Sequence, residues 1–320
     1  MDEHRIIREL GDTQAHLTVT RASPDLAGCG KCMAEVRLLP QDLMVDTPST
    51  HRPSASVIDA FAVTDEPVLL SGGRGGTWQA GDVILKPVDY APETIWRSEV
   101  LETLPASEYF RVARPIRAAD GMWIAEGWEA SQVVGGATDV SRQDEVLRAG
   151  TEFHRAIAAV ERPAFLDIRQ DPWSTGDRVA WEEAPFSFGP AADPLIQPLI
   201  NTRRPVDLAS QAVHGDLPGN VLFADGLPPA IIDWPVYWRP PTWALAVAVV
   251  DALCWYDATP DLADRWSHLP AWGQMLVRAL VYRIATDEAV GGPTCWTTDR
   301  LNAYQPAVDL AVRIAGGDDR

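Results

Sequence analysis

The residues best equipped for chemistry in this 320-residue chain fall in two neighbouring stretches. "HGDLPGNVLF", residues 214–223, places His214, Asp216 and Asn220 ahead of an apolar run, and "AIIDW", residues 230–234, follows with Asp233. An imidazole, two carboxylates and a carboxamide are groups that move protons and bind hard cations: carboxylate and amide oxygens suit Mg²⁺, and a positioned side chain can take a proton in a transition state. The alternative is structural, because Asp ahead of Pro and Gly also closes an ordinary Asx-type turn.

A third candidate comes from composition. Of 27 basic residues 25 are Arg, and only Lys31 and Lys86 are Lys. A compact ammonium and a planar guanidinium are not interchangeable at a tight site, so a retained Lys calls for a chemical reason. Lys86 is the suspect.

The elements that must position these groups can be read along the chain. From Val68 the pattern is strand, glycine loop, strand, turn, strand, in "PVLLSGGRGGTWQAGDVILKPV". Gly72, Gly73, Gly75 and Gly76 form the first connection, Gly81-Asp82 suits a hairpin, and Lys86 lies near the end of the third strand. "PETIWRSEVLETL" (92–104) predicts a short helix with Pro near its start. "FRVARPIRAADGMWIAEGWEA" predicts two strands around Asp120-Gly121. Beyond it helices dominate: 141–160, with a Ser/Asp capping arrangement, His154 on its apolar face and Val146, Phe153, Ile157 and Val160 aligned, then "TWALAVAVVDALCWYD", "AWGQMLVRALVYRIATD" and "RLNAYQPAVDLAVRIAG". A small β-rich lobe over 51–130 thus precedes a helical lobe over 131–320, and residues 1–50 are an extension without clean periodicity.

The order glycine hairpin, strand Lys, helix Glu, two strands, "HGD…N", "IIDW" resembles the aminoglycoside phosphotransferase and choline kinase group over about residues 65–320. "FLDIRQDPWSTGDRVAWEE" and "IIDWPVYWRPP" are similar to an actinobacterial branch of it. The resemblance implies a bilobal α+β protein-kinase-like fold, with a small antiparallel sheet and one helix in the first lobe. It implies ATP and Mg²⁺ as cofactors and transfer of the γ-phosphate to a hydroxyl of a small molecule. On it, the glycines would let backbone N–H groups approach phosphate. Lys86 would pair with the α/β-phosphates, held by Glu99 or, one turn later, Glu102, and Glu126 and Trp128 join the nucleotide-binding set. Asp216 would accept or orient the acceptor proton, His214 would anchor the loop backbone, and Asn220 and Asp233 would hold the metal, the latter delivered by buried Ile231 and Ile232. His154 reads as a satisfied core histidine.

One departure stands out. Kinase loops written H-R-D-x-x-x-x-N put four residues between Asp and Asn, whereas three separate Asp216 from Asn220. Pro218-Gly219 can close the shorter turn, since Pro presets φ and Gly tolerates positive φ. A nucleotide-binding pseudokinase is the alternative that the short loop keeps open. A protein kinase is disfavoured, because only eight residues separate Asp233 from Thr242, leaving no room for an activation segment.

Charge and cysteine usage narrow the partners. A net charge of −18 disfavours nucleic acid and anionic membranes, both polyanionic, and favours a cationic or amine-bearing acceptor. Residues 131–320 hold 25 acidic residues against 15 Arg and no Lys, in the lobe expected to bind the acceptor. Four cysteines are too few and scattered for a disulfide framework, and "CGKC" at 29–32 is at most half of a metal or redox site. The charged N-terminus and an apolar maximum of eight residues, "WALAVAVV", predict a cytoplasmic protein.

Overall fold

The computed structural model describes residues 52–71 and 75–317. Residues 1–51, with Cys29, Cys32 and Lys31, lie outside the described residues, as do Gly72 and Gly73 of the glycine loop.

Helix α1 (Ala55–Ala60) leads into strands β1 (Val68–Leu69), β2 (Trp78–Ala80) and β3 (Val83–Pro87), then helix α2 (Ala91–Thr103) and strands β4 (Arg111–Val112), β5 (Pro115–Ile116), β6 (Ile124–Ala125) and β7 (Trp128–Gln132). After the crossing at 133–136 come β8 (Ala137–Thr138), α3 (Gln143–Ala156), α4 (Pro172–Ala180), α5 (Asp193–Thr202), β9 (Gln211–His214), β10 (Val221–Phe223), β11 (Ala230–Ile231) and β12 (Val236–Arg239). Helices α6 (Pro241–Trp255), α7 (Asp261–Arg265), α8 (Trp272–Gly291) and α9 (Thr298–Gly317) complete the described chain.

The first lobe is an antiparallel sheet in the order β1-β2-β3-β7-β5, with β6 hairpinned onto β7. Alternation along these strands turns Ala80, Leu85, Trp128 and Ala130 inward onto Val57 and Phe61, so that α1 supplies part of a small separate core. The strand hairpin differs from expectation. Asp120-Gly121 does turn the chain, but the tight reversal is Glu126-Gly127, with φ of 48° and 78° and Ala125 facing Trp128. Paired positive φ values mark the two-residue turn whose twist matches antiparallel strands.

The second lobe is built on helices that are buried on all sides. Of α6, "PTWALAVAVVDALCW", only Pro241 and Leu253 escape full burial, and α8 is buried without a break from Trp272 to Glu288. Such helices form the interior of a large domain, and the polar residues they carry must find partners. Together the strand-rich and helical lobes make a bilobal α+β fold. Among the described residues no helix is long and apolar enough to cross a membrane.

Candidate active site

A cavity of about 430 Å³ opens between the sheet of the first lobe and the β10–β11 hairpin of the second. Leu70 and Ile84 line it from above, Leu222 and Ile231 from below, and the backbone of 133–136 borders it where the chain passes between lobes. Its polar wall contains Lys86, Arg97, Glu129 and Asp233.

Two of these residues were expected from sequence, and the fold brings them into contact. Lys86, in β3, donates from Nζ to Oδ1 of Asp233 at 2.6 Å. Both remain accessible from the cavity, with side-chain exposures of 32% and 46%. Burial between the lobes would raise the Asp233 carboxyl, but Lys86 and then Arg97 outweigh it and hold it below the usual carboxylate range. Ile231 is buried in β11 as expected, whereas Ile232 is half-buried because it faces the cavity. Asp233 itself has φ of 47°, an uncommon conformation for a residue with a Cβ.

His214 ties the two expected loops together. Its Nδ1 accepts from the Asp216 backbone N–H at 3.1 Å, which leaves the hydrogen on Nε2, and Nε2 donates to the Ile232 carbonyl at 3.0 Å. One fully buried imidazole thereby fixes both Asp216 and the residue before Asp233. Burial lowers its basicity, so the neutral ring with both bonds is the favoured form. His154 supports it from α3: Nε2 of His154 accepts from the His214 backbone N–H at 3.0 Å. That carries the hydrogen of His154 on Nδ1, which is buried without a hydrogen-bond partner among the described residues. Burial and the neighbouring His214 push His154 down to about 3.

The shortened loop closes as Pro-Gly chemistry allows. Gly219 has φ of 81°, and the Asn220 N–H returns to the Leu217 carbonyl at 3.0 Å. The Asn220 side chain then donates to the Asp216 carbonyl at 2.7 Å and to Asp216 Oδ2 at 3.2 Å. Gly215 is required for another reason: a Cβ there would lie 2.4 Å from the Tyr237 ring.

Sequence reasoning missed a buried polar group beneath this loop. Arg283 of α8 donates from Nη2 to Asp216 Oδ1 at 2.8 Å and from Nε to Asp251 Oδ1 at 2.8 Å, with a further short contact to Asp251 Oδ2. Burial raises the Asp251 carboxyl to about 6 against the opposing pull of Arg283. The signal available in sequence was an Asp in α6 and an Arg in α8, both inside otherwise apolar helices.

Four expected residues, Glu99, Glu102, Glu126 and Trp128, are not brought to the cavity. Glu99 is exposed on α2 and does not meet Lys86, whose partner is Asp233. Glu102 instead pairs with Arg117 at 2.8 Å. Glu126 sits in the β6–β7 turn, where Oε2 accepts from Ser56 at 2.6 Å, and Trp128 is packed in the first-lobe core, while the rest of β7, from Glu129 to Gln132, lines the cavity. Of the loop glycines, Gly75 has φ of 76°, and Gly76 precedes β2 outside the cavity wall.

The donor set limits what metal could bind. Among the described residues no group of three or more His, Cys, Asp or Glu side chains could hold an ion alone. Asn220 and Asp233 nonetheless lie on facing segments, because the Ile232 N–H donates to the Asn220 carbonyl at 3.0 Å. Asn220 spends its Nδ2 on Asp216, which leaves Oδ1 for a cation. Mg²⁺ needs few protein oxygens where phosphate and water complete its shell, so these residues fit a nucleotide-borne ion rather than a self-sufficient metal centre.

No protein-family profile matches the sequence, and no curated protein matches it. Solved structures do. A thermostable mutant of aminoglycoside phosphotransferase APH(4)-Ia, in ternary complex with AMP-PNP and hygromycin B, superposes with a TM-score of 0.53 and 18% identity, over 82% of this chain and 98% of that one. Spectinomycin phosphotransferase APH(9)-Ia, in complex with ADP and spectinomycin, gives 0.51 and 15%, over 81% and 95%. At these identities the likeness establishes a shared fold.

Proposed function

We propose that this protein is an ATP-dependent phosphotransferase that moves the γ-phosphate to a hydroxyl of a small molecule, with Mg²⁺ as cofactor. The observation that carries the reading is the 2.6 Å contact of Lys86 with Asp233 at the wall of the interlobe cavity. His214 bonds Asp216 and Ile232 and so couples that wall to the 216–220 loop. Phosphoryl transfer asks a protein mainly to clamp charge and orient an acceptor. Lys86 would meet nucleotide phosphates, and Asp233 with Asn220 Oδ1 would hold Mg²⁺, which neutralises charge on the transferring group. Asp216 would orient the acceptor hydroxyl and take its proton. The matched proteins, bound to AMP-PNP with hygromycin B or to ADP with spectinomycin, support nucleotide use and a small-molecule acceptor.

The acidic balance of the second lobe is the reason to favour an amine-bearing acceptor. Its weight is reduced by pairing: Asp144, Asp167, Asp177, Asp251 and Asp287 each bond an arginine. Incubating the protein with a metabolite pool and Mg-ATP, and reading an added phosphate by mass spectrometry, tests transfer. An amino compound is expected to be phosphorylated in preference to its neutral analogue.

A second reading has its own observation. Both carboxylate oxygens of Asp216 are engaged, Oδ1 by Arg283 and Oδ2 by Asn220, which also suits an Asp216 that only holds the loop. Mg-nucleotide binding with no transfer to any acceptor would select this pseudokinase role.

A further inference from the structure

The helix between β3 and β4 presents an arginine to the cavity in place of a carboxylate. Glu93, Arg97 and Leu101 recur every four residues on α2 and share a face, whereas Glu99 is about 200° around the helix from Arg97. Arg97 makes three contacts with two elements. Its Nη2 donates to both carboxylate oxygens of Glu129, at 2.8 and 2.7 Å, and its Nη1 donates to the Trp234 carbonyl at 3.2 Å. Glu129 stands opposite Lys86 in the β3–β7 register, and Trp234 directly follows Asp233. A single guanidinium therefore joins β7, the strand paired with the one that carries the lysine, to the loop that carries the aspartate. Both partners are largely shielded, with side-chain exposures of 18% and 20%.

The loop needs such a hold. Asp233 occupies a left-handed conformation that persists only where neighbouring contacts enforce it. Three of the anchors beside Lys86 are the His214 bond to Ile232, the Trp234 indole bond to the Val213 carbonyl, and Arg97. Of the three, only Arg97 comes from the first lobe. Glu93, one turn earlier on α2, reinforces the crossing by accepting from the Val236 N–H at 2.7 Å and from Arg169 at 3.0 Å.

We infer that Arg97 is a positioning residue that sets the spacing of Lys86 and Asp233 for a Mg-nucleotide. This rests on the reading of the cavity as a nucleotide site. The guanidinium fork is essential to it, because an ammonium has no planar pair of N–H groups to grip Glu129 while reaching Trp234. Arg97→Lys keeps the charge and removes the fork, so it separates placement from simple electrostatics.

The test is equilibrium binding of ATP with and without Mg²⁺, read by ligand-induced melting shifts, and it needs no acceptor. Arg97→Lys is expected to weaken Mg-ATP binding about tenfold or more, the usual size for loss of a group that orients a metal ligand, and to change metal-free ATP binding far less. Glu129→Gln, which leaves the Trp234 contact, should move Mg-ATP affinity in the same direction by a smaller factor. It serves alone if the Arg97 variant does not fold. Glu102→Gln, on the same helix but paired with Arg117, should change neither affinity. Unchanged Mg-ATP affinity in both Arg97→Lys and Glu129→Gln, with a normal shift in the unmodified protein, would overturn the inference and leave the proposed function standing. An unmodified protein that shows no Mg-ATP shift at all would overturn both.

Discussion

Lys86 Nζ and Asp233 Oδ1 are 2.6 Å apart although they lie 147 positions apart in the chain. The contact joins the third strand of one lobe to a loop of the other, and it is open to the cavity. Pairs this accessible contribute little to stability, about 0–1 kcal/mol. Their removal is expected to register in binding before it registers in folding.

Lys86→Arg should therefore melt close to the parent while nucleotide affinity falls, because a guanidinium must fit where a point charge meets phosphate. Lys31→Arg is the matched control. Equal nucleotide affinity for the two variants would remove Lys86 from the site.

Asp216→Asn and Asp233→Asn should fail differently. The first removes a proton acceptor, so turnover should fall by about 10²–10⁴ with Mg-nucleotide binding nearly intact. The second removes a metal ligand, so it should shrink the stabilisation that saturating Mg-ATP gives the folded state. Melts with and without Mg-ATP, beside a transfer assay once an acceptor is known, read both quantities.

Arg283 holds two carboxylates in the interior, with side-chain exposures of 3% for Arg283 and 3% for Asp251. Arg283→Met should cost about 3–5 kcal/mol, the usual penalty for leaving buried charge without its partner. Because Asp251 already titrates at about 6 through burial, losing the guanidinium should raise it further. The variant should then regain stability relative to the parent as pH falls and Asp251 takes up a proton. A relative stability that is flat between pH 8 and 5 would contradict this assignment.

The buried His154 gives a pH dependence of defined sign. Its folded value of about 3 lies below the ordinary 6.5, so between these the unfolded chain binds more protons. Its contribution is complete above pH 6.5 and is lost as pH falls through that window, by up to about 1.4 kcal/mol per pH unit for one site. Asp251, raised to about 6, acts in the opposite sense below pH 6, so the comparison must be between variants. His154→Gln keeps an acceptor for the His214 N–H and does not titrate. Denaturant melts from pH 7 to 4 should show a shallower loss of stability in the variant than in the parent.

Gly215→Ala should disturb the 216–220 loop from within. The new Cβ would meet the Tyr237 ring at 2.4 Å, and that ring is buried against Tyr282 and Trp243, with Tyr237 and Tyr282 hydroxyls 2.9 Å apart. A lower melting temperature is expected, since overpacking a tight core costs about 1–3 kcal/mol.

The sequence by itself determined what local chemistry can encode. The rarity of Lys singled out Lys86, the Pro218-Gly219 pair permitted a three-residue spacer, and "TWALAVAVVDALCWYD" read as a helix. Each depends on neighbours a few residues apart, so each is legible along the chain. What only the tertiary structure decided are relations across lobes and around helix axes. Whether Glu99, Glu102 or Arg97 faces the cavity depends on the rotation of α2, which the weak apolar periodicity of "PETIWRSEVLETL" does not fix. Glu126 and Trp128 are drawn away because Glu126 falls in the reversal at Glu126-Gly127 and Trp128 turns into the first-lobe core, leaving Glu129 to Gln132 to line the cavity. The partner of Lys86, the grip of Arg97 on Glu129 and Trp234, and the buried link from Asp251 through Arg283 to Asp216 join residues from 32 to 147 positions apart. No spacing rule reaches that far. They form because charged groups carried inside by apolar helices and strands must be paired there.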